Sequence, residues 1–241
     1  MRDQPEQQAP PVQRLRIRYA KRGRLRFTSH RDFSRAFERA VARARLPMAY
    51  SSGFHPHPRI SYAGAAPTGA ASEAEYLEIG LAQVVDPADV AAALAEALPD
   101  GLDVVTVVES PGGSLADRLT ASRWTVEVPG VADLAGRVAD FLAAEEVTVE
   151  RMTKKGLRRF DCRSAVVSLR PTRALDDAQL DLVLRHTVPA VRPDDVLAGL
   201  ALVAGEDPAA GDAPVPLLTR LQQGPLDEAT GEIGDPLVAS A

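Results

Sequence analysis

Three histidines and a long run of arginines are the residues in this chain best equipped to do chemistry. Ser51-Ser-Gly-Phe-His-Pro-His-Pro-Arg-Ile-Ser61 sets His55 and His57 two residues apart, so an extended backbone projects both imidazoles to one side. Pro56 and Pro58 remove amide donors and stiffen the backbone, presenting the rings on a loop already fixed in shape. Such a pair suits three tasks: gripping a phosphate or a base edge, acid–base work near neutral pH, or holding a metal. Two histidines are only half a metal site, and Cys162, the single cysteine, would have to arrive from the other half of the chain, so no metal is expected. Ser29 and His30 can approach the same surface from the start of a helix, which makes His30, His55 and His57 the candidate acid–base set. A structural loop whose histidines bond to nearby carbonyls accounts for the same residues.

The charges around the loop are segregated. The net charge of -5 conceals 13 Lys or Arg against two acids between Pro11 and Tyr62, and eight against one between Arg151 and Arg173. A local positive field attracts phosphate polymers whatever the total charge. Arg59 follows the loop directly, Arg35 and Arg39 are one turn apart on a helix, and Arg24 and Arg26 share a face of an expected strand. Arginine suits phosphate because its planar fork offers paired donors. Phe54 and Tyr62 can stack on unpaired bases, though both can equally be core residues. Lys154, Lys155 and Arg158 read as a hairpin tip able to clamp an RNA strand, or as an ordinary solvated turn.

The elements that must position these groups are legible in outline. Residues 14–20 alternate charged and apolar side chains as a strand does, and 24–28 repeat the pattern, predicting a hairpin. Ser29 caps a helix whose apolar face is Phe33, Ala36, Phe37, Ala40, Val41 and Ala44, and Pro47 ends it. Pro56 and Pro58 confine 48–63 to an edge strand or shaped loop. Strands at 75–81 and 102–108 flank a helix capped by Asp86-Pro87. After the Pro111–Ser114 turn the order recurs: strand 123–128, helix 131–144, strands beginning at 147 and spanning 160–169 and 180–186, helix 193–203 and strand 217–222. The prediction is an α+β protein of tandem ferredoxin-like, split β-α-β repeats with antiparallel sheets. Its expected divisions are a disordered arm (1–13), a first domain (14–110), a linker (111–122), a second domain (123–222) and a frayed tail (223–241).

Ser29-His30, the run Gly53-Phe54 with Pro56-His57-Pro58, and Glu75-Tyr76-Leu77 together resemble the radical SAM-linked domain of unknown function found in bacteria. The resemblance reaches more loosely to Lys154-Lys155-Gly156 and Asp161, and spans about residues 14–222. His55 stands where that family often carries Asn. Relatives occur alone, as in actinobacteria, or behind a cobalamin-binding radical SAM protein, and stand-alone members often lie beside ribonuclease E/G. Both associations imply RNA. Endoribonucleases that process CRISPR repeats also use tandem ferredoxin-like folds with a histidine, which keeps an RNA-directed enzyme open as a fold-level analogy.

Several classes are excluded. The chain has no phosphate-binding glycine loop, no dinucleotide-binding fingerprint, no Cys-x-x-Cys pair and no three-cysteine cluster motif, so it cannot run radical SAM chemistry alone, and no cofactor is expected. No apolar run approaches the ~20 residues that cross a bilayer, so a cytoplasmic location without membrane contact is expected. The sequence predicts an RNA-binding accessory protein, with tRNA or rRNA as ligand and no DNA specificity. A radical SAM protein or ribonuclease E/G is the expected partner, and the chain is not expected to be an enzyme on its own. Its expected contacts are Arg24, Arg26, Arg35, Arg39, Phe54, His57, Arg59, Lys154, Lys155 and Arg158. The alternatives are the acid–base enzyme and an adaptor docking on an acidic protein.

Overall fold

The computed structural model describes residues 7–153, 156–174, 177–208 and 215–238. They fall into two compact units, Met1–Arg118 with Pro236–Ala241, and Leu119–Asp235. The class is mixed α+β, with four helices and mostly antiparallel strands.

The first unit runs β1 (Gln13–Lys21), α1 (His30–Arg43), β2 (Ile60–Ala63), β3 (Ala71–Leu81), α2 (Pro87–Ala97) and β4 (Leu102–Glu109). The strands are ordered β4-β1-β3-β2, each antiparallel to its neighbour. Strand alternation sorts β1 into two sets. Leu15, Ile17 and Tyr19 join Leu77, Ile79 and Leu81 of β3 in a core closed by Phe33, Phe37 and Val41 of α1 and Val90 and Leu94 of α2. Tyr19 stacks on Phe33 with centroids 4.5 Å apart. Arg14, Arg16 and Arg18 take the opposite face by register. Phe37 is 1% exposed, so truncating it to Ala would cost about 3–5 kcal/mol.

Local signals start and stop the helices. The Ser29 hydroxyl accepts the Asp32 amide at 3.2 Å, and the Asp86 carboxylate accepts the Ala88 amide at 2.8 Å ahead of Pro87. The chain leaves α1 through Arg45, in the left-handed region at φ 52°, whose amide bonds the Ala42 carbonyl. Pro47 follows.

The predicted hairpin is corrected here. Residues 23–27 form a 3-10 turn, in which Leu25 donates to the Arg22 carbonyl and Thr28 to the Leu25 carbonyl. Both edges of β1 are taken by β3 and β4, which leaves no place for a second hairpin strand. The expected arm is corrected in part: Gln8 donates to Ser52 Oγ and Val12 to the Leu81 carbonyl, so 7–12 lie along this unit.

The second unit runs β5 (Ala121–Glu127), α3 (Leu134–Ala143), β6 (Thr148–Thr153), β7 (Gly156–Asp161), β8 (Val166–Ala174), β9 (Asp177–Arg185), α4 (Pro193–Val203) and β10 (Leu217–Gly224). Its main strands are ordered β10-β5-β9-β8, while among the described residues β6 and β7 pair with each other as a separate ribbon. The strand predicted over 160–169 is broken because the Asp161 carboxylate accepts the amides of Val147, Arg163 and Ser164 and turns the chain there. The tail expected to fray is ordered through 238: Asp227 accepts the Ala229 and Thr230 amides, Leu226 bridges to Ile233, and Leu237 is buried.

Candidate nucleic-acid interface

Most of the β1 cations are committed inside the first unit. Arg16 is fully buried: Nε donates to Glu78 at 3.1 Å, and Nη2 donates to the carbonyls of Gly112 and Gly113 at 2.8 and 2.9 Å. Arg14 Nη1 reaches the other Glu78 oxygen at 3.1 Å, and the Ser110 hydroxyl donates to Glu78 at 2.7 Å. Burial works to raise the Glu78 pKa, but the donors Ser110, Arg16 and Arg14 outweigh it and hold the carboxyl below its ordinary range. Arg18 donates to the Glu73 carbonyl, and Arg22 is clamped between Glu73 and Asp103. Lys21 is buried. These residues bind the fold together, so the raw count of basic residues overstates what a polymer could meet.

Most cations of α1 and of the turn before it face solvent, although Arg26 is half-buried and Arg43 donates to the Ala97 carbonyl at 3.1 Å. Arg31, Arg35 and Arg39 are exposed, spaced by four, and none forms an ion pair with another described residue. Arg24 is exposed in the 3-10 turn, and Arg26 lies over the Phe27 ring at 4.6 Å while Phe27 is 59% exposed. Arg24 and Arg26 therefore lie within a turn instead of sharing the expected strand face. An exposed ring under a cation and a basic helix stripe are the two kinds of group that stack on bases and pair with phosphates. Arg31 is absent from the expected contacts, although its spacing of four from Arg35 was the available signal. Glu38 interrupts the stripe; it adds to the burial that pushes the Tyr62 phenol up to about 12.

The histidine loop is a short excursion held by main-chain bonds. Tyr50 bridges Pro58, the Ser51 amide donates to the His57 carbonyl at 2.9 Å, and the His57 amide donates back to Ser51 Oγ at 3.0 Å. Arg59 donates its amide to Ala49 and accepts from Gly80, which anchors the loop to β3. Phe54 and His55 project into solvent, with Phe54 68% exposed. His57, also exposed, and Arg59 line an open cavity of about 260 Å³ with Pro11, Arg14, Ser51, Ser61 and Glu78. Arg59 Nε donates to the Tyr50 carbonyl at 3.1 Å, which orients its guanidinium.

The three histidines do not converge. His30, at the first position of α1, meets Tyr62 edge-on at 5.0 Å, and Tyr62 in turn packs edge-on against Phe33 of the core. His55 does not line the cavity that His57 lines. Tyr62 is thus a packing residue rather than a stacking surface. Among the described residues, no three histidine, cysteine or acidic side chains are grouped to hold a metal. Cys162 is buried, and burial, then Asp161 and Asp195, push its thiol up to about 12.

In the second unit, Arg158 is exposed on the β6–β7 ribbon, while Lys154 and Lys155 lie outside the described residues. Arg159 pairs with Glu150 at 3.1 Å, and Arg151 pairs with Asp195 and lies over the Phe160 ring at 4.9 Å. Met152 and Leu157 are opposite one another, 72% and 57% exposed. Among the described residues no helix is long and apolar enough to cross a membrane.

A family model described as "Uncharacterized protein conserved in bacteria (DUF2344)" matches residues 14–193. No curated protein matches the chain. Among solved structures, the chain is similar to one from "Crystal Structure of a Cbf5-Nop10-Gar1 Complex" at 9% identity and TM-score 0.48, covering 91% of this chain and 55% of that one. The chain thus spans about half the length of that relative. A second, an unknown protein from Galdieria sulphuraria, aligns at 13% identity and TM-score 0.24 over 88% of this chain and 98% of that one.

Proposed function

We propose, on the premise that the chain belongs to the bacterial family DUF2344, that it is an RNA-binding accessory protein presenting tRNA or rRNA to an enzyme that modifies or processes it. The observation that carries the reading is the exposed stripe Arg31, Arg35 and Arg39 running on from the Arg26–Phe27 pair. Cations at one-turn intervals beside an exposed ring suit an unpaired strand, whose phosphates and bases take the two kinds of contact. The accessory role, and a radical SAM or ribonuclease partner, rest on the family resemblance of the His-Pro loop. Both units repeat the element order β-α-β-β-α-β once the β6–β7 ribbon is set aside. Within each, the first strand lies between the fourth and third, and the second is outermost, which supports reading them as tandem ferredoxin-like domains.

The test is binding of tRNA and of a single-stranded oligoribonucleotide to the full chain between 50 and 300 mM salt. Micromolar affinity falling steeply with salt is expected. Salt-insensitive or absent binding would overturn the reading. Co-purification of an acidic protein that survives nuclease treatment would point to the adaptor instead.

A further inference from the structure

The cavity lined by the base of the histidine loop gathers basic and polar side chains from the loop, β1 and β2. We infer that it is a site for a phosphate monoester, at the end of an RNA chain or on a mononucleotide. It is lined by Arg14, Arg59, His57, Ser51 and Ser61. Arg59 is held through Nε to the Tyr50 carbonyl, and its two terminal nitrogens have no partner among the described residues. The His57 ring likewise bonds to none of them, because the loop is fastened through its backbone amide and carbonyl. The one lining carboxylate, Glu78, is already engaged by Arg14, Arg16 and Ser110, so it does not confront an anion unscreened.

Charge selects the ligand. Among the lining residues, Arg14 and Arg59 against Glu78 leave a net charge of +1. A phosphate monoester carries about −1.5 to −2 at pH 7 and offers three terminal oxygens, whereas an internal diester carries one charge. The volume, about 260 Å³, is ample for a phosphate group with room for the sugar that carries it. Gly80 keeps the wall tight: a Cβ there would lie 3.0 Å from Pro11 Cβ and 3.3 Å from Arg59 Cβ, so a side chain would displace two of the lining residues by a few tenths of an ångström.

The experiment is calorimetric titration of the full chain with AMP and with adenosine, and with one oligoribonucleotide bearing a 5′-phosphate, a 3′-phosphate or only hydroxyl ends. A phosphorylated form is expected to bind at least tenfold more tightly than its hydroxyl counterpart. Arg59→Gln is expected to erase that preference, and His57→Ala, whose ring bonds to no described residue, to reduce it several-fold. AMP binding as tightly as the phosphorylated oligomer identifies a mononucleotide site; tighter oligomer binding identifies a chain end. Equal binding of phosphate and hydroxyl forms, or a preference kept intact by both variants, overturns the inference. The AMP arm separates it from the RNA reading: phosphate-dependent AMP binding without oligomer binding sinks the RNA reading alone. Salt-sensitive oligomer binding without end preference, and with AMP no better than adenosine, sinks the cavity alone.

Discussion

Replacing Arg31, Arg35 and Arg39 together by Gln tests the helix stripe most directly. The three are exposed on α1 at intervals of four. A helix rises about 1.5 Å per residue, so successive guanidinium groups start roughly 6 Å apart and drift around the axis by only about 40° per step. All three can therefore address one strand. For single strands, each neutralised phosphate contributes about 0.7 to the slope of log K against log salt. Losing three contacts should flatten the slope by about two. By the same relation each contact is worth a factor of roughly five at 0.1 M salt, so the triple variant should bind about 100-fold more weakly there. Filter binding at five salt concentrations reads both quantities, and circular dichroism checks that the helix survives. Exposed Arg-to-Gln changes leave the apolar face of α1, Phe33, Phe37, Ala40 and Val41, untouched. A slope within half a unit of the parent chain would refute the stripe as the phosphate track, whatever the affinity. Glu38→Gln supplies the opposite sign and should tighten binding a few-fold, because it removes the acid that interrupts the stripe.

Other expectations concern the fold that holds these groups. Gly199→Ala should cost the second unit about 1–3 kcal/mol in urea unfolding, since a Cβ there would lie 2.8 Å from Phe141 and 2.9 Å from the Cys162 sulfur, both buried. Cys162 should not react with a thiol reagent at pH 8 in the native chain and should react fully in denaturant, because burial disfavours its thiolate. Glu78 has a folded pKa below its ordinary 4.5, so the stability it contributes is present above that value and lost as pH falls through the folded one. Acid unfolding of the first unit should accordingly be less steep in Glu78→Gln. Arg45→Gly should stabilise by about 0.5–1 kcal/mol in thermal unfolding, because φ 52° strains any residue with a side chain.

Local signals made much of the fold legible. Ser29 with Asp32, and Asp86 with Pro87, mark their helices because capping needs only neighbours in sequence. The alternation in residues 14–20 separates Leu15 and Ile17 from Arg14 and Arg16 for the same reason. Alternation misleads at 24–28, where a 3-10 turn also buries part of Leu25 while leaving Arg24 and Phe27 outside. A strand needs a free edge, and which edges are free is decided by pairings elsewhere. The candidate site divides along the same line. Arg16 meets Glu78 across 62 residues, so nothing near Arg16 could reveal that its charge is spent within the fold. The exposure of Arg35 and Arg39, by contrast, follows from the helix period, and Arg31 follows from it equally. Convergence of three histidines is a long-range property, and here His30 turns to Tyr62 while His57 turns to the cavity.

The loop between Ala49 and Arg59 is fastened by its own backbone and by Ser51, and residues 53–56 contribute no bond to that fastening. Its outline and its chemistry are therefore separable. The frame at 49–51 and 57–59 behaves as a socket, and the Phe54-His55 tip behaves as an interchangeable bit. Exchanging the tip should retune what the loop touches while the neighbouring sheet keeps its register. That makes this short stretch a natural place to graft a new specificity onto an unchanged scaffold.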